Sequence, residues 1–446
     1  MWPGLGQWYA GKPRSAALYA LPVALVAVLL LIKVASGIQR FALQLIDPSL
    51  ALTLLVLVVA VGVWRLLSMV DASASVSRRT VFHGRPGQVL AGLAAVVLAT
   101  HGILAYYAWS FYENGSQIFV GNTDPTPGPS GSTDPTEFFP ASPFATPATA
   151  DSRITILLTG IDKTSERTHS LTDTLLLVSV NPKTGQVSMV SFPRDIAEFP
   201  LYSGGTFKGK INSLYAYAGS HKTEFPDGPL PSLTHELSYL IGIPINYYAA
   251  IDIDGFKRMI DEVGGVKVTL DKALNDQHYN WLDGSFGLYI AKGTHLLDGR
   301  TALAYVRSRY GAGDNDFTRA ARQQNLLLAL RKKLTDPSML PHLPGVLNVA
   351  GDTIRTNFPP DRIDEMLTLA SAVDDKTVQR VVLRPPIYSI HPPTNSTGGT
   401  YILRLHLDAV RQLSVDLFGE DSAFWTGQFT PSGSPIPGTP GPSTAP

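Results

Sequence analysis

Three apolar runs crowd the first quarter of the chain: Ala16 to Ile32, Leu50 to Val63 with an extension to Met69, and Val89 to Trp109. In hydrocarbon every backbone N–H and C=O must be satisfied within the segment, so runs of this kind can only be helices. The first and third are long enough to cross roughly 30 Å of hydrocarbon, and the second sits at the limit. The competing reading is a buried core helix or, for the first run, a secretory signal peptide. A signal peptide needs a charged start and a small-residue cleavage site, and it would leave the other two runs unexplained. Three spans account for all three runs.

Charge orients them. Lys12 and Arg14 precede the first span, Arg78, Arg79 and Arg85 lie between the second and third, and no Lys or Arg occurs from Tyr112 to Ser152. The positive-inside rule therefore places the N-terminus and the second loop in the cytoplasm, and everything after about residue 111 outside. Lys33 and Arg40, between the first two spans, run mildly against this. The division that follows is a three-span membrane anchor (1–111), a flexible linker rich in Pro, Thr, Ser and Gly (112–152), one large folded domain (153–427) and a Pro/Ser/Gly tail (428–446). The 36 basic and 36 acidic side chains cancel, which argues against nucleic acid as a partner. Cysteine is absent, which excludes disulfides and thiolate catalysis and suits an exported domain.

Within the domain, Ile154 to Ile161 reads as a strand buried on both faces, because it is almost continuously apolar. Thr174 to Val180, Gln186 to Phe192, Ile245 to Ile253 and Val266 to Leu270 are also strand-like. Helical patterns fit Lys210 to Ala218, Ser232 to Ile241, Asp254 to Val263 and Phe317 to Lys333. Alternation of this kind predicts an α/β fold, with an α-β-α layered arrangement about a central mixed sheet. Polar residues gather at the strand ends: Asp162 follows the first strand, Asp173 precedes the second, Arg194 and Asp195 follow the third, and Lys210 stands in KIN. Strand ends are where open α/β sheets bind ligands. Each residue alone also fits a turn cap, a strand start or a surface charge; their joint placement beside an arginine cluster favours a site.

That cluster is YVRSRYGAGDNDFTRAARQQ, Tyr305 to Gln324, with four arginines, two aspartates and no lysine. Guanidinium groups meet paired phosphate oxygens through two parallel hydrogen bonds and stay charged at any working pH, whereas lysine offers a point charge. If Tyr305 to Arg309 is extended, Tyr305, Arg307 and Arg309 share a face. In the following helix Arg319 shares a face with Arg322 and with Gln323. Asp316 is placed to cap that helix, whose N-terminal end itself favours phosphate. Arg331, further along, reads as an ordinary surface arginine. The competing reading of the cluster is a solvated salt-bridge surface. No Walker loop occurs, and no spacing suggests zinc.

The ordered series TGID, TDTLLLVSVNPKTGQVSMVSFPRD, KIN, IDEVGGVKV, LDGRTALAYVRSR and DFTRAARQQ resembles the LytR–CpsA–Psr family over roughly Ile154 to Lys333. The resemblance implies a membrane-anchored phosphotransferase. Such an enzyme moves a phosphoglycosyl unit from a polyprenyl diphosphate carrier to a sugar hydroxyl of peptidoglycan or another wall polymer. By motif, Asp162 and Asp173 fall on the family's Mg²⁺ (or Mn²⁺) ligands. Arg194, Lys210, Arg307, Arg309, Arg319 and Gln323 fall on its diphosphate-binding and catalytic positions, with Asp316 among its motif residues. Three spans replace the family's usual one. Leu171 and Thr172 stand where Arg-Ser is usual, so that a lost arginine contact is either replaced by Arg167 or His169 or not replaced at all. Asp195 or Asp173 is the candidate general base. A diphosphate hydrolase, or a non-catalytic envelope regulator or binding protein, would use the same surface.

Overall fold

The computed structural model describes residues 2–35, 41, 44–45, 47–76, 84–119, 152–162, 171–281, 283–359, 362–425, 431–432 and 436–437. The linker around 120–151, the segment holding Arg167 and His169, and most of the tail lie outside these described residues. The chain divides into two compact units. One holds Met1–Ile118, Leu340–Gly351 and Pro359–Glu365, and the other holds Phe119–Met339, Asp352–Phe358 and Met366–Pro446.

The first unit opens with the short helix α1 (Leu5–Tyr9), followed by α2 (Pro13–Ala35), α3 (Pro48–Val76) and α4 (Gly84–Phe119). Three stretches are long and apolar enough to cross a membrane: Pro13–Ala35, Pro48–Ala74 and Gly87–Ser116. Pro13 and Pro48 begin their helices, where a missing N–H costs nothing. Asp47 caps α3 by accepting from the Ser49 N–H at 2.8 Å. The helix of the second span runs past both ends of the Leu50 to Met69 read from the sequence, since helix needs internal hydrogen bonds and not unbroken apolarity.

The second unit is built on a six-stranded sheet. Its strands are β1 (Ile154–Asp162), β2 (Leu171–Val180), β3 (Val187–Ser191), β6 (Tyr247–Asp252), β11 (Ile354–Thr356) and β12 (Gln379–Val382), in the order β11-β6-β1-β2-β3-β12. The sheet is mixed: β6 is parallel to β1, β12 is parallel to β3, and β2 and β11 run antiparallel to their neighbours. Hence β1, β3, β6 and β12 all end at one edge, where β2 begins.

The pleat sends alternate side chains to two cores. Leu157, Leu175, Leu177 and Val190 join a cluster with Leu214, Leu233, Leu237 and Leu413. These come from helices α5 (Leu214–Ser220), α6 (Pro229–Ile241) and, at the C-terminus, Leu407–Phe418. Leu176, Val180, Val187 and Met189 face the other way, against Leu327, Leu328, Leu369 and Val373. The result is the three-layer α-β-α arrangement.

Beyond α7 (Ile253–Glu262) lie the pairs β7 (Val266–Leu270) with β10 (Gly293–Leu297) and β8 (Leu274–Asn280) with β9 (Phe286–Ile290). Helices α8 (Gly299–Arg307) and α9 (Asp316–Leu334) follow. Three places depart from the sequence reading. Lys210 ends the hairpin strand β5 (Thr206–Lys210), paired with β4 (Ala197–Pro200), and does not begin a helix. Tyr305 to Arg307 is the last turn of α8 and not an extended segment, so Tyr305 and Arg307 do not share a face. Asp173 lies inside β2 and does not precede it.

Candidate active site

The edge at which β1, β3, β6 and β12 end is where the polar residues meet. Asp162 is the last residue of β1 and is buried. The β1–β2 register pairs Gly160 with Thr174 but Ile161 with Thr172, so Asp173 is the extra residue of a bulge. Bulges re-aim a side chain at the edge of a ladder. From there Asp173 accepts from an Arg194 amino group at 2.9 Å.

Arg194 and Asp195 leave the end of β3, and the KIN turn is stitched beside them. Ile211 N–H donates to the Ile196 carbonyl at 2.6 Å, Asn212 N–H to the Arg194 carbonyl at 3.4 Å, and the Thr172 hydroxyl to the Asn212 carbonyl at 3.3 Å. This brings the Lys210 ammonium to 2.5 Å from the buried Asp195 carboxylate.

Helix α9 presents its N-terminal end to the same place. Its cap is Asn315 and not Asp316: the Asn315 side chain accepts from Phe317 and Thr318 N–H in a capping box with Thr318. Asp316, one residue on, is freed to face the arginines. Arg319 lies 3.1 Å from its carboxylate, and Arg194 and Arg309 both 3.9 Å. Three guanidinium groups thus crowd one carboxylate, and the crowding leaves polar atoms unmatched. The Nε of Arg194, the Nε of Arg319 and Oδ1 of Asp316 are buried without a hydrogen-bond partner among the described residues.

Burial, and then the neighbouring charge of Arg194 set against the pull of Asp316, hold the Arg319 guanidinium below its ordinary value. Burial acts in the same sense on Arg194, but Asp173, Asp316 and Asp195 outweigh it and raise that group. A buried N–H left without an acceptor costs about 1–3 kcal/mol, which an incoming anion with several oxygens would recover.

The remaining cluster residues are placed differently. Arg322 turns away from the others. It donates to the Tyr305 carbonyl at 2.8 Å, to Asp314 at 2.9 Å and to the Ser308 carbonyl. It holds the 305–314 segment together, with a bond from each of its three nitrogens committed to the fold. Among the described residues Gln323 reaches only the Val306 carbonyl, at 3.4 Å. Arg307 ends α8 near Tyr279 and makes no hydrogen bond or ion pair among the described residues.

Two residues escaped the sequence reading. Asp276 of β8 is fully buried and accepts from the Ser308 hydroxyl at 2.7 Å and from Arg309 and Tyr310 N–H at 3.2 Å, fixing the backbone that carries Arg309. Gly311 permits this, because a Cβ there would lie 3.0 Å from the Asn275 carbonyl oxygen and 2.6 Å from Asp314. Tyr401 is the second: Asp195 and Asp316, after burial, hold its phenol above the usual range.

The LytR_cpsA_psr family model matches residues 128–405. The chain belongs to the LytR–CpsA–Psr family. Among its relatives is the regulatory protein MsrR of Staphylococcus aureus (strain COL), 29% identical over 282 residues, which are 62% of this chain and 78% of that protein. Another is the polyisoprenyl-teichoic acid–peptidoglycan teichoic acid transferase TagU of Halalkalibacterium halodurans. It is 30% identical over 217 residues, 49% of this chain and 65% of the relative. Of the solved structures, B. subtilis TagV superposes with a TM-score of 0.48 at 24% identity, covering 60% of this chain and 97% of that one.

In this LytR–CpsA–Psr chain the carboxylates at the strand edge that could hold a metal are Asp162 and Asp173. Among the described residues no group of three or more His, Cys, Asp or Glu converges as a metal cage. Two hard carboxylates on neighbouring strands fit Mg²⁺, which keeps waters and takes substrate phosphates as its other ligands. They do not suit zinc, which wants nitrogen or sulfur.

Proposed function

We propose that this protein is a membrane-anchored phosphotransferase. It would move a phosphoglycosyl unit from a polyprenyl diphosphate carrier to a sugar hydroxyl of peptidoglycan or another wall polymer. The observation that carries the proposal is the trio Arg194, Arg309 and Arg319 around Asp316. Its unmatched buried N–H groups lie at the edge where the parallel strands end. The name of the TagU relatives supports the substrate class. The active site would lie outside the membrane and the N-terminus inside, with the membrane lipid holding the carrier's tail.

The wall hydroxyl oxygen attacks the sugar-linked phosphorus. A new P–O bond forms, the bond to the bridging oxygen breaks, polyprenyl phosphate leaves, and the hydroxyl proton passes to Asp195 or Asp173. Arg194, Arg309 and Arg319 receive the diphosphate oxygens and neutralise charge as it shifts to the leaving phosphate. Lys210 holds Asp195 in place, and Asp173 aims Arg194. When bound by Asp162 and Asp173, Mg²⁺ (or Mn²⁺) supplies further charge neutralisation at phosphate oxygens. Accordingly, Asp162→Asn and Asp173→Asn are expected to fold and yet lose Mg²⁺-stimulated turnover; wild-type turnover at low Mg²⁺ in both would remove them as ligands.

The deciding experiment supplies purified protein with a polyprenyl diphosphate-linked glycan and wall fragments. Polymer joined to wall is the expected product. Free phosphorylated glycan would make the protein a hydrolase, and unchanged donor would make it a binding or regulatory protein.

A further inference from the structure

The segment 387–405 returns to the site after β12 and carries no residue of the motifs above. Leu403 bridges Ile196 in parallel, its N–H donating to the Asp195 carbonyl and its carbonyl accepting from Ala197 N–H, both at 2.8 Å. Tyr401 stands two residues before this bridge on one strand, as Arg194 stands two residues before it on the other. The Tyr401 ring is 42% exposed and packs tilted against His391, with centroids 4.3 Å apart and planes 38° apart. The His391 ring is fixed by a 3.0 Å bond between Nδ1 and the Ile402 carbonyl. The Tyr401 hydroxyl has no hydrogen bond among the described residues.

An aromatic face carries partial negative charge and repels phosphate, so an exposed ring beside an arginine cluster suits a neutral part of the ligand. The neighbouring loop is exposed and polar, with Thr394, Asn395, Ser396 and Thr400, which disfavours an alkyl chain. A pyranose ring, with apolar C–H faces and hydroxyls at its rim, satisfies both conditions. We propose that Tyr401, backed by His391, is the shelf that takes the first sugar after the diphosphate. This rests on the transfer reading above and adds a donor-sugar contact to it.

The test uses the full-length protein and two soluble probes, farnesyl diphosphate and the same diphosphate carrying one N-acetylhexosamine. Tyr401→Ala is expected to raise Kd for the glycosylated probe about tenfold, equivalent to about 1.4 kcal/mol, and to leave the bare probe within about twofold. Tyr401→Phe, which keeps the ring, should bind both probes as the wild type does. Equal weakening of both probes, weakening of neither, or a Phe variant as impaired as Ala would overturn the shelf. A wild-type protein that binds neither probe would overturn the diphosphate reading and the shelf with it. Wild-type binding with an unaffected Ala variant would overturn the shelf alone.

Discussion

Arg309 and Arg331 carry the same guanidinium and meet opposite demands. Arg331 donates to the Ala370 and Val373 carbonyls at 2.7 and 2.8 Å and to Asp375 at 2.6 Å. It is a strut and not the ordinary surface arginine its sequence context suggests, so Arg331→Lys should lower Tm. Arg309 is one-third exposed, lies over the Tyr310 ring and comes no nearer than 3.9 Å to Asp316. Its fork is spare. Arg309→Lys should melt like the wild type and still lose about 1.5–3 kcal/mol of contact to the transferring phosphate. That is roughly a ten- to hundredfold drop in rate at about 1.36 kcal/mol per tenfold. Arg258→Lys, in an exposed pair with Asp352, serves as the silent control. Equal rates for the Arg309 and Arg258 variants would mean that charge alone mattered, and the clamp would be abandoned. Glu236 offers a test of a different kind. Burial raises its pKa against the hydrogen bond it accepts from Tyr202 N–H, and Glu224 adds to the rise. A raised acid penalises folding wherever it is ionised. The penalty is absent below the ordinary value of 4.5 and grows as pH climbs through the folded-state pKa. Glu236→Gln keeps the acceptor, so it should raise Tm at pH 8 and leave it unchanged near pH 4; a gain of equal size at both would refute the charge argument.

At the scale of elements, apolar pattern was the reliable signal. Strand β7 matches its reading residue for residue, and α7 and α9 differ from theirs by one residue at each end. Reading failed where polar chemistry decides. The helix α8 is legible in its cap, since Asp298 accepts from Thr301 N–H at 2.7 Å, but the spacing of Arg307 and Arg309 equally fits the alternation of a strand. The β4–β5 hairpin is short and irregular, and Glu198 within it sits at φ 55°, a conformation no period-two pattern announces. Asp276 was invisible because the groups it fixes, the Ser308 hydroxyl and the N–H groups of Arg309 and Tyr310, are more than thirty residues away. Arg322 was found by helical spacing, yet spacing does not say which face looks at solvent. Its ion pair with Asp314 is almost closed to water, the two side chains being 11% and 4% exposed. Breaking such a pair from one side costs about 3–5 kcal/mol, because a buried charge is left alone. Arg322→Met should therefore unfold at markedly lower denaturant, and Asp314→Asn in the same chain should recover part of the loss. An Arg322→Met variant of undiminished stability but poor donor binding would return Arg322 to the ligand surface.

At the scale of the molecule, one question governs the rest: which side of the membrane the strand-end site faces. Within the first unit, Gly4 N–H donates to the Ser68 hydroxyl at 3.2 Å, and the Gln7 amide donates to the Ser68 carbonyl at 2.8 Å and to Asp71 at 3.1 Å. The N-terminus thus rests on the last turns of α3 and shares a side with the loop that leaves it. Both carry the positive charge, Lys12 and Arg14 in one, Arg78, Arg79 and Arg85 in the other. Two cationic stretches held to one side by direct contact make a stronger case than either alone, because an inverted orientation would have to translocate both. Helix α4 is long and apolar enough to cross once more, and its far end leads to a linker that carries no Lys or Arg. A phosphatase reporter, active only outside, should therefore be active when fused after residue 150 and silent when fused after residue 80. The reverse pattern in well-expressed fusions would put the arginine site in the cytoplasm, out of reach of any wall acceptor. Transfer to the wall would then be untenable, even if every residue of the site bound diphosphate as proposed.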